Sequence, residues 1–441
     1  MNRSDLLIIG AGPGGYETAV KALRQGLTVT LVERDLLGGT CLNRGCIPTK
    51  ALCRAAEVAD TVTEASTFGI EAQPFTIDAE AVFRRKDETV AALREGVATL
   101  LRDVNVVRGE ARFTGPMTVE VEGETYTADK VIVATGSAPA KLPVPGAEYA
   151  ITSDEMLSLG RIPASAVIIG GGVIGMEFAS ILRSLGSEVT VLEFCPEILP
   201  PFDAEVAKRL RMSLKKRGIN IVTSAQVTAI SADREVTYLS KNKEKTVTGE
   251  IVLMAVGRRP VIPSGLAEAG VVIERGAVKV DGNFRVAMAD GSQPELYAIG
   301  DVNARMMLAH VAVAQGEWVI GSGRPELSAV PSAVFTAPEC AMVGLTEAQC
   351  HQQGLDYRAG RSIFRANGKA MAMGAPDGMV KVIMAADDSR LLGCHIVGPH
   401  AADLVAEATL AISNRLTVKD ILNTIHAHPT LSEALVLALA E

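Results

Sequence analysis

The chain predicts an α/β fold built around two dinucleotide-binding βαβ units. Three observations carry this. A short apolar run, Leu6 to Gly10, ends on a glycine-rich turn and is followed by a helical stretch, and the same pattern returns at Ala166 to Gly170. Three glycines and a closing glutamate recur at one offset of 160 positions. A hydrophobic content of 48% with 41 glycines and only 4% aromatics suits tight turns between strands and helices.

In the first unit, Leu6–Gly10 reads as a strand, Gly14–Gln25 as a helix and Leu27–Glu33 as a second strand, with Gly10, Gly12 and Gly15 at the turn. The second unit repeats this with Gly170, Gly172 and Gly175, a helix through Leu185 and a strand from Glu188 to Glu193. Each is Rossmann-like. The first glycine makes the tight turn, the second lets backbone approach a pyrophosphate, and the third lets helix pack on strand. The helix N-terminus then receives the negative charge. Glu33 and Glu193 stand where they would accept hydrogen bonds from ribose hydroxyls. A carboxylate there repels an extra phosphate, and Phe194, Cys195 and Pro196 follow Glu193 with no Arg among them, so NAD is expected over NADP.

Eight residues past Glu33 comes Cys41, in the run Gly38-Gly39-Thr40-Cys41-Leu42-Asn43-Arg44-Gly45-Cys46-Ile47-Pro48-Thr49-Lys50. Two cysteines five apart at the mouth of a cofactor site suggest a disulfide that trades electrons with the cofactor. A thiol is a nucleophile only as thiolate, and a helix N-terminus or a nearby cation lowers its pKa. The Gly38-Gly39-Thr40 loop entering a helix offers such a setting. Reach assigns FAD to the first unit, beside these thiols, and NAD to the second. Val131–Gly136, which includes Thr135 and Gly136, and Leu296–Asp301 read as further short strands of a flavin domain split by insertion. Asp301 could bond the ribityl chain of the flavin or simply cap a helix.

Near the far end stands His426-Ala427-His428-Pro429-Thr430-Leu431-Ser432-Glu433. A histidine held by a carboxylate moves protons to and from a thiol near neutral pH. A helix begun at Pro429 and Thr430 would bring Glu433 within reach of His428, and His426 is the other candidate base. The remaining cysteines, Cys53, Cys195, Cys340, Cys350 and Cys394, read as packing residues, and no metal site is expected.

A net charge of -8 argues against a nucleic-acid partner. The chain opens directly into an apolar strand without a secretory leader, and no run reaches the ~18 apolar residues of a membrane span. An odd, scattered set of seven cysteines does not make an extracellular disulfide framework. A cytoplasmic enzyme with no membrane association is expected.

GGTCLNRGCIPTK, the two fingerprints, Ala255-Val256-Gly257-Arg258-Arg259-Pro260, AIGDV with Leu308-Ala309-His310, Pro331–Thr346 and HAHPTLSE together resemble the flavin-dependent pyridine nucleotide-disulfide oxidoreductases over nearly the whole chain. The resemblance implies a third, C-terminal α+β dimerisation domain. The implied division is residues 1–140 with 262–325 for FAD, 141–261 for NAD and 326–441 for the interface. It implies that Cys41 exchanges with substrate, that Cys46 lies against the flavin, and that His428, oriented by Glu433, is the acid/base, donated by the other subunit of a homodimer. Thr40, Lys50 and Gly257 fall in cofactor-binding stretches, with Lys50 paired to Glu177. HAHPTLSE points within the family to dihydrolipoamide or a lipoyl domain as substrate, and leaves open service to a 2-oxoacid dehydrogenase complex, to a glycine cleavage complex, or work free of either. The alternative is another disulfide, a metal ion or a quinone. Arg44 departs from the family, which has an apolar residue between the cysteines, and leaves the substrate open on that account.

Overall fold

The computed structural model describes residues 2–323 and 326–441. The expected domain limits at residues 1 and 325 lie outside that range. The chain forms two compact units: Met1–Ala51 with Ala81–Ala140 and Gly257–Leu327, and Leu52–Glu80 with Lys141–Val256 and Ser328–Glu441.

The first unit is built on a seven-stranded sheet. Its order runs Asn105–Arg108, Val29–Glu33, Asn2–Ile9, Glu124–Val133, Thr118–Val121, Arg112–Gly115, with Leu296–Ala298 also pairing with Glu124–Val133. The strands that carry the fingerprint pair in parallel, Leu6 opposite Val29 and Lys130. Parallel strands covered on both faces must be apolar throughout, and Leu6, Leu7, Ile8, Leu31 and Ile132 are all buried. The first helix is Pro13–Arg24, one residue earlier than expected, because Pro13 is preformed for the first helical position. Leu296–Ala298 returns to this sheet after a long excursion, with its register fixed at Leu296 opposite Val131.

The second unit contains a parallel four-stranded sheet in the order Asn220–Val222, Glu188–Leu192, Ser165–Ile169, Ile251–Met254. It also holds an antiparallel three-stranded sheet, Ala225–Ile230, Glu235–Ser240 and Lys243–Thr248. A five-stranded antiparallel sheet follows in the order Ser332–Val334, Glu339–Gly344, Leu391–Gly398, Met379–Ala385, Tyr357–Ile363. Helices Ala401–Ser413 and Glu433–Leu439 pack their apolar residues, Val405, Ala408, Leu435 and Ala438 among them, into the core of that sheet. Among the described residues no helix is long and apolar enough to cross a membrane.

Candidate functional site

The two fingerprints are atomic copies of each other. Gly10 has φ +106° and a Cβ there would lie 2.4 Å from the Ala134 carbonyl oxygen; Gly170 has φ +108° and would meet the Ala255 carbonyl oxygen at 2.4 Å. A Cβ on Gly15 would fall 1.9 Å from the Gly10 oxygen, and one on Gly175 2.0 Å from the Gly170 oxygen. Only glycine permits these approaches. The middle glycines differ in kind. A Cβ on Gly12 has its nearest neighbour at 4.0 Å, and one on Gly172 meets nothing within 4 Å. Each also caps its helix, Pro13–Arg24 or Val173–Ser184, with no side chain bonded to the exposed backbone N–H groups. Open space in front of unsatisfied donors at a helix N-terminus fits the pyrophosphate of a dinucleotide in both places.

Glu33 and Glu193 are buried at the ends of their strands. Glu33 accepts from the backbone N–H of Ala11 at 2.6 Å and of Asp35 at 2.8 Å. Glu193 accepts from Gly171 N and, at 2.6 Å, from Cys195 N. Each carboxylate therefore braces its own glycine turn, and each oxygen keeps a lone pair for a ribose hydroxyl. The bracing of the turn comes in addition to the ribose contact expected from the spacing.

The cysteine loop rests directly on the first fingerprint. Gly38 N donates to Ala11 O at 2.8 Å. Gly39, at φ +58°, sits where a Cβ would come within 2.6 Å of the Gly12 Cα. Asn43 ties the loop down by donating to the carbonyls of Leu37 and Gly39, each at 2.9 Å. The cysteines do not share one helix. Cys41 lies in the short helix Gly39–Arg44, which also carries Thr40, and Cys46 opens the helix Cys46–Glu64, which carries Lys50. The chain turns between them at Gly45. The Cys41 thiol bonds to Cys46, and that bond, with burial, pushes its pKa up, while the Lys50 ammonium opposes the shift. Arg44 is ion-paired with Asp35, so its charge is already matched within the loop.

Asp301 stands second in the single turn Gly300–Asn303 and accepts from the Ser137 hydroxyl, which in turn accepts from Arg258 Nε at 2.7 Å. Arg258 also donates to Ser137 O at 2.8 Å. Ser137 and Arg258 were not singled out from sequence as site residues, although Arg258 lies in the quoted AVGRRP run and Ser137 directly follows Thr135-Gly136. Thr135 donates its hydroxyl to Val261 O at 2.6 Å, and Gly136 and Gly257 adopt φ +69° and +109° at the paired strands Ser137–Pro139 and Arg258–Pro260. In the second unit, the buried Glu177 accepts from Phe335 N at 3.0 Å.

At the far end, His428 Nδ1 lies 2.9 Å from Glu433 Oε1, and the other Glu433 oxygen accepts from Thr430 N at 2.8 Å. These two bonds, Thr430 first, hold the Glu433 carboxyl below its usual range. The helix begins only at Glu433, later than Pro429-Thr430, so the pair meets across the turn before the helix and not along it. The His428 side chain is 80% exposed, with its Nε2 facing away from the anchoring carboxylate. His426 has both ring nitrogens engaged, Nε2 with Glu407 Oε1 at 2.6 Å and Nδ1 with Thr424 O at 2.9 Å.

The sequence pattern of pyridine nucleotide-disulphide oxidoreductases matches residues 4–316, and the dimerisation domain of the same family matches residues 330–439. The chain belongs to that family. The oxidoreductase is similar to the dihydrolipoyl dehydrogenase of Chlamydia pneumoniae, 41% identical, with 97% of this chain and 95% of that protein covered. It is likewise similar to that of Thermus scotoductus, 41% identical, covering 99% and 96%. Among solved structures it resembles the HOCl-induced flavoprotein disulfide reductase RclA of Escherichia coli, in its Cu(II) complex, with a TM-score of 0.87 and 27% identity over 100% of this chain and 99% of that one. The cofactors of such an enzyme are FAD and NAD(H).

Proposed function

We propose that this oxidoreductase is a dihydrolipoyl dehydrogenase. It oxidises dihydrolipoamide through a Cys41–Cys46 disulfide and bound FAD, and reduces NAD to NADH. The observation that carries the reading is the seating of Cys41 and Cys46 on the pyrophosphate turn of the first fingerprint, through the Gly39 to Gly12 contact. The ~40% identity to dihydrolipoyl dehydrogenases over nearly their full length supports the substrate.

In this reading residues 1–140 with 262–325 hold FAD, residues 141–261 hold NAD, and residues 326–441 form the interface of a homodimer, which the matched dimerisation domain supports. FAD would rest on Gly10, Gly12 and Gly15, with Glu33 at its ribose, Thr40, Lys50, Thr135 and Gly136 along it, and Asp301 at its ribityl chain. NAD would rest on Gly170, Gly172 and Gly175, with Glu193 at its ribose and Glu177 and Gly257 nearby. Bound FAD supplies an acceptor for the electron pair of the reduced cysteines, and bound NAD takes it away as hydride.

One thiolate of dihydrolipoamide attacks Cys41 Sγ, forming a mixed disulfide and releasing Cys46 as a thiolate. The second substrate thiol attacks the substrate sulfur of that bond, closing lipoamide and releasing Cys41. His428 takes up the proton at Nε2, and Glu433 holds the ring by Nδ1 and stabilises its charge. The proton that each substrate thiol must lose before it attacks is what makes this base necessary. His428 serves the cysteines of the partner subunit. The enzyme works in the cytoplasm, as the electron outlet of a 2-oxoacid dehydrogenase or glycine cleavage complex.

Replacing Cys46 by Ser tests the scheme. NADH-driven reduction of lipoamide should disappear while FAD remains bound, and full turnover in the variant would end the proposal. A second reading rests on the likeness to copper-complexed RclA, in which the same thiols would deliver electrons to a metal ion. NADH oxidation supported by Cu(II) but not by lipoamide would favour it.

A further inference from the structure

Lys381 lies on the strand Met379–Ala385 of the five-stranded sheet and is 1% exposed. Its ammonium meets Asp203 Oδ1 at 2.8 Å, Glu205 Oε2 at 3.0 Å and the Glu347 carboxylate. Arg361 on the neighbouring strand donates from Nε to both Glu205 oxygens at 3.0 Å. His395, opposite Lys381 in register, is pushed down by burial and stays neutral, so it adds no charge to the group. A buried lysine among carboxylates is a poor source of stability, since apolar residues of like volume serve as well; its merit is that it fixes a geometry.

Asp203 and Glu205 begin the helix Ala204–Lys216, where Asp203 is the N-cap and accepts from Glu205 N at 3.1 Å. One turn earlier, buried Leu199 holds φ +49°, a left-handed conformation that a bulky side chain disfavours. That conformation aims Leu199 N at the carbonyl of Gly171, 2.9 Å away, inside the second fingerprint. Phe202 N closes the turn onto Leu199 O at 2.8 Å. The bidentate pair of Arg211 with Glu197, at 2.6 and 2.9 Å, fastens the start of the same loop to the same helix. The segment is thus pinned to the glycine turn at one end and to Lys381 at the other.

We propose that Lys381 is a positioning residue for NAD: by clamping Asp203 and Glu205 it keeps Leu199 left-handed and so fixes the Gly170–Gly172 turn that receives the pyrophosphate. The C-terminal sheet thereby sets the shape of a nucleotide site to which it contributes no ligand. This rests on the reading of Gly170, Gly172 and Gly175 as the NAD site.

The test uses the oxidised, FAD-loaded enzyme and titrates it calorimetrically with ADP-ribose, which carries the pyrophosphate but no nicotinamide. Lys381→Met and Asp203→Asn should each bind it about tenfold more weakly. Asparagine caps a helix as well as aspartate does, so the second variant keeps the helix start and decides the matter if the first fails to fold. Flavin bleaching by dihydrolipoamide in stopped flow should be unchanged in both. Gly172→Ala is the control for the site itself. If it weakens ADP-ribose while the clamp variants bind as the parent does, the role of Lys381 is refuted; so too if bleaching falls in step with binding. If Gly172→Ala binds ADP-ribose normally, the NAD-site reading fails first and takes the clamp with it.

Discussion

Replacing Gly172 by alanine should leave the stability of the fold nearly unchanged and still cripple use of NADH. The backbone there, at φ -74° and ψ -175°, suits any residue. The new methyl would meet no protein atom within 4 Å. The less flexible unfolded chain favours folding by ~0.4–1 kcal/mol, which a poorer N-cap than glycine offsets, so the apoprotein's stability should change little. The methyl would nevertheless fill the space between the helix N-terminus and a pyrophosphate. Loss of one or two charge-assisted backbone hydrogen bonds corresponds to about 2–4 kcal/mol, or roughly 30- to 700-fold in affinity. Gly175→Ala is the counter-case, because its Cβ would fall 2.0 Å from the Gly170 oxygen and must push helix from strand, harming fold and binding together. The assay pairs a thermal melt with the KM for NADH, using lipoamide as acceptor. An unchanged KM in a folded Gly172→Ala enzyme would refute the idea that this glycine is kept open for the nucleotide.

His428→Gln should cut lipoamide turnover by roughly 10²- to 10⁴-fold while NADH still bleaches the flavin; retained turnover would pass the role to His426. NADH should outperform NADPH by on the order of 10²-fold, since the Glu193 carboxylate would face the extra phosphate, and parity in a side-by-side KM measurement would overturn that role. The bond to Glu407 raises the pKa of His426. Its contribution to stability is then fully present below the ordinary imidazole range and is lost as pH rises through the raised value. Melting curves should separate wild type from Glu407→Gln in mild acid and converge in alkali, and a gap that widens with pH would contradict the pairing.

Much of the site was legible because its chemistry is local. The spacing of Gly10, Gly12 and Gly15 follows from one turn between a strand and a helix, so the repeat at Gly170 could be recognised by spacing alone. His428 and Glu433 are five residues apart, and their bond needs no distant element, although it forms ahead of the helix that starts at Glu433 and not within one. Arg258 with Ser137 escaped notice because 121 residues separate them, and only the antiparallel pairing of Ser137–Pro139 with Arg258–Pro260 brings them together. Glu407 as the partner of His426 was hidden for the same reason, lying on the helix Ala401–Ser413.

By itself the sequence determined the α/β class, the doubled nucleotide fold and the thiol pair, since each depends on backbone turns and neighbours a few residues away. Tertiary packing alone decided that Gly39 presses the cysteine loop onto Gly12, that Cys41 lies within one helix while Cys46 opens the next, and that Lys381 meets Asp203 across 178 residues of chain. Such contacts arise where strands and helices close on one another, and no local pattern of residue types encodes which distant side chain will arrive.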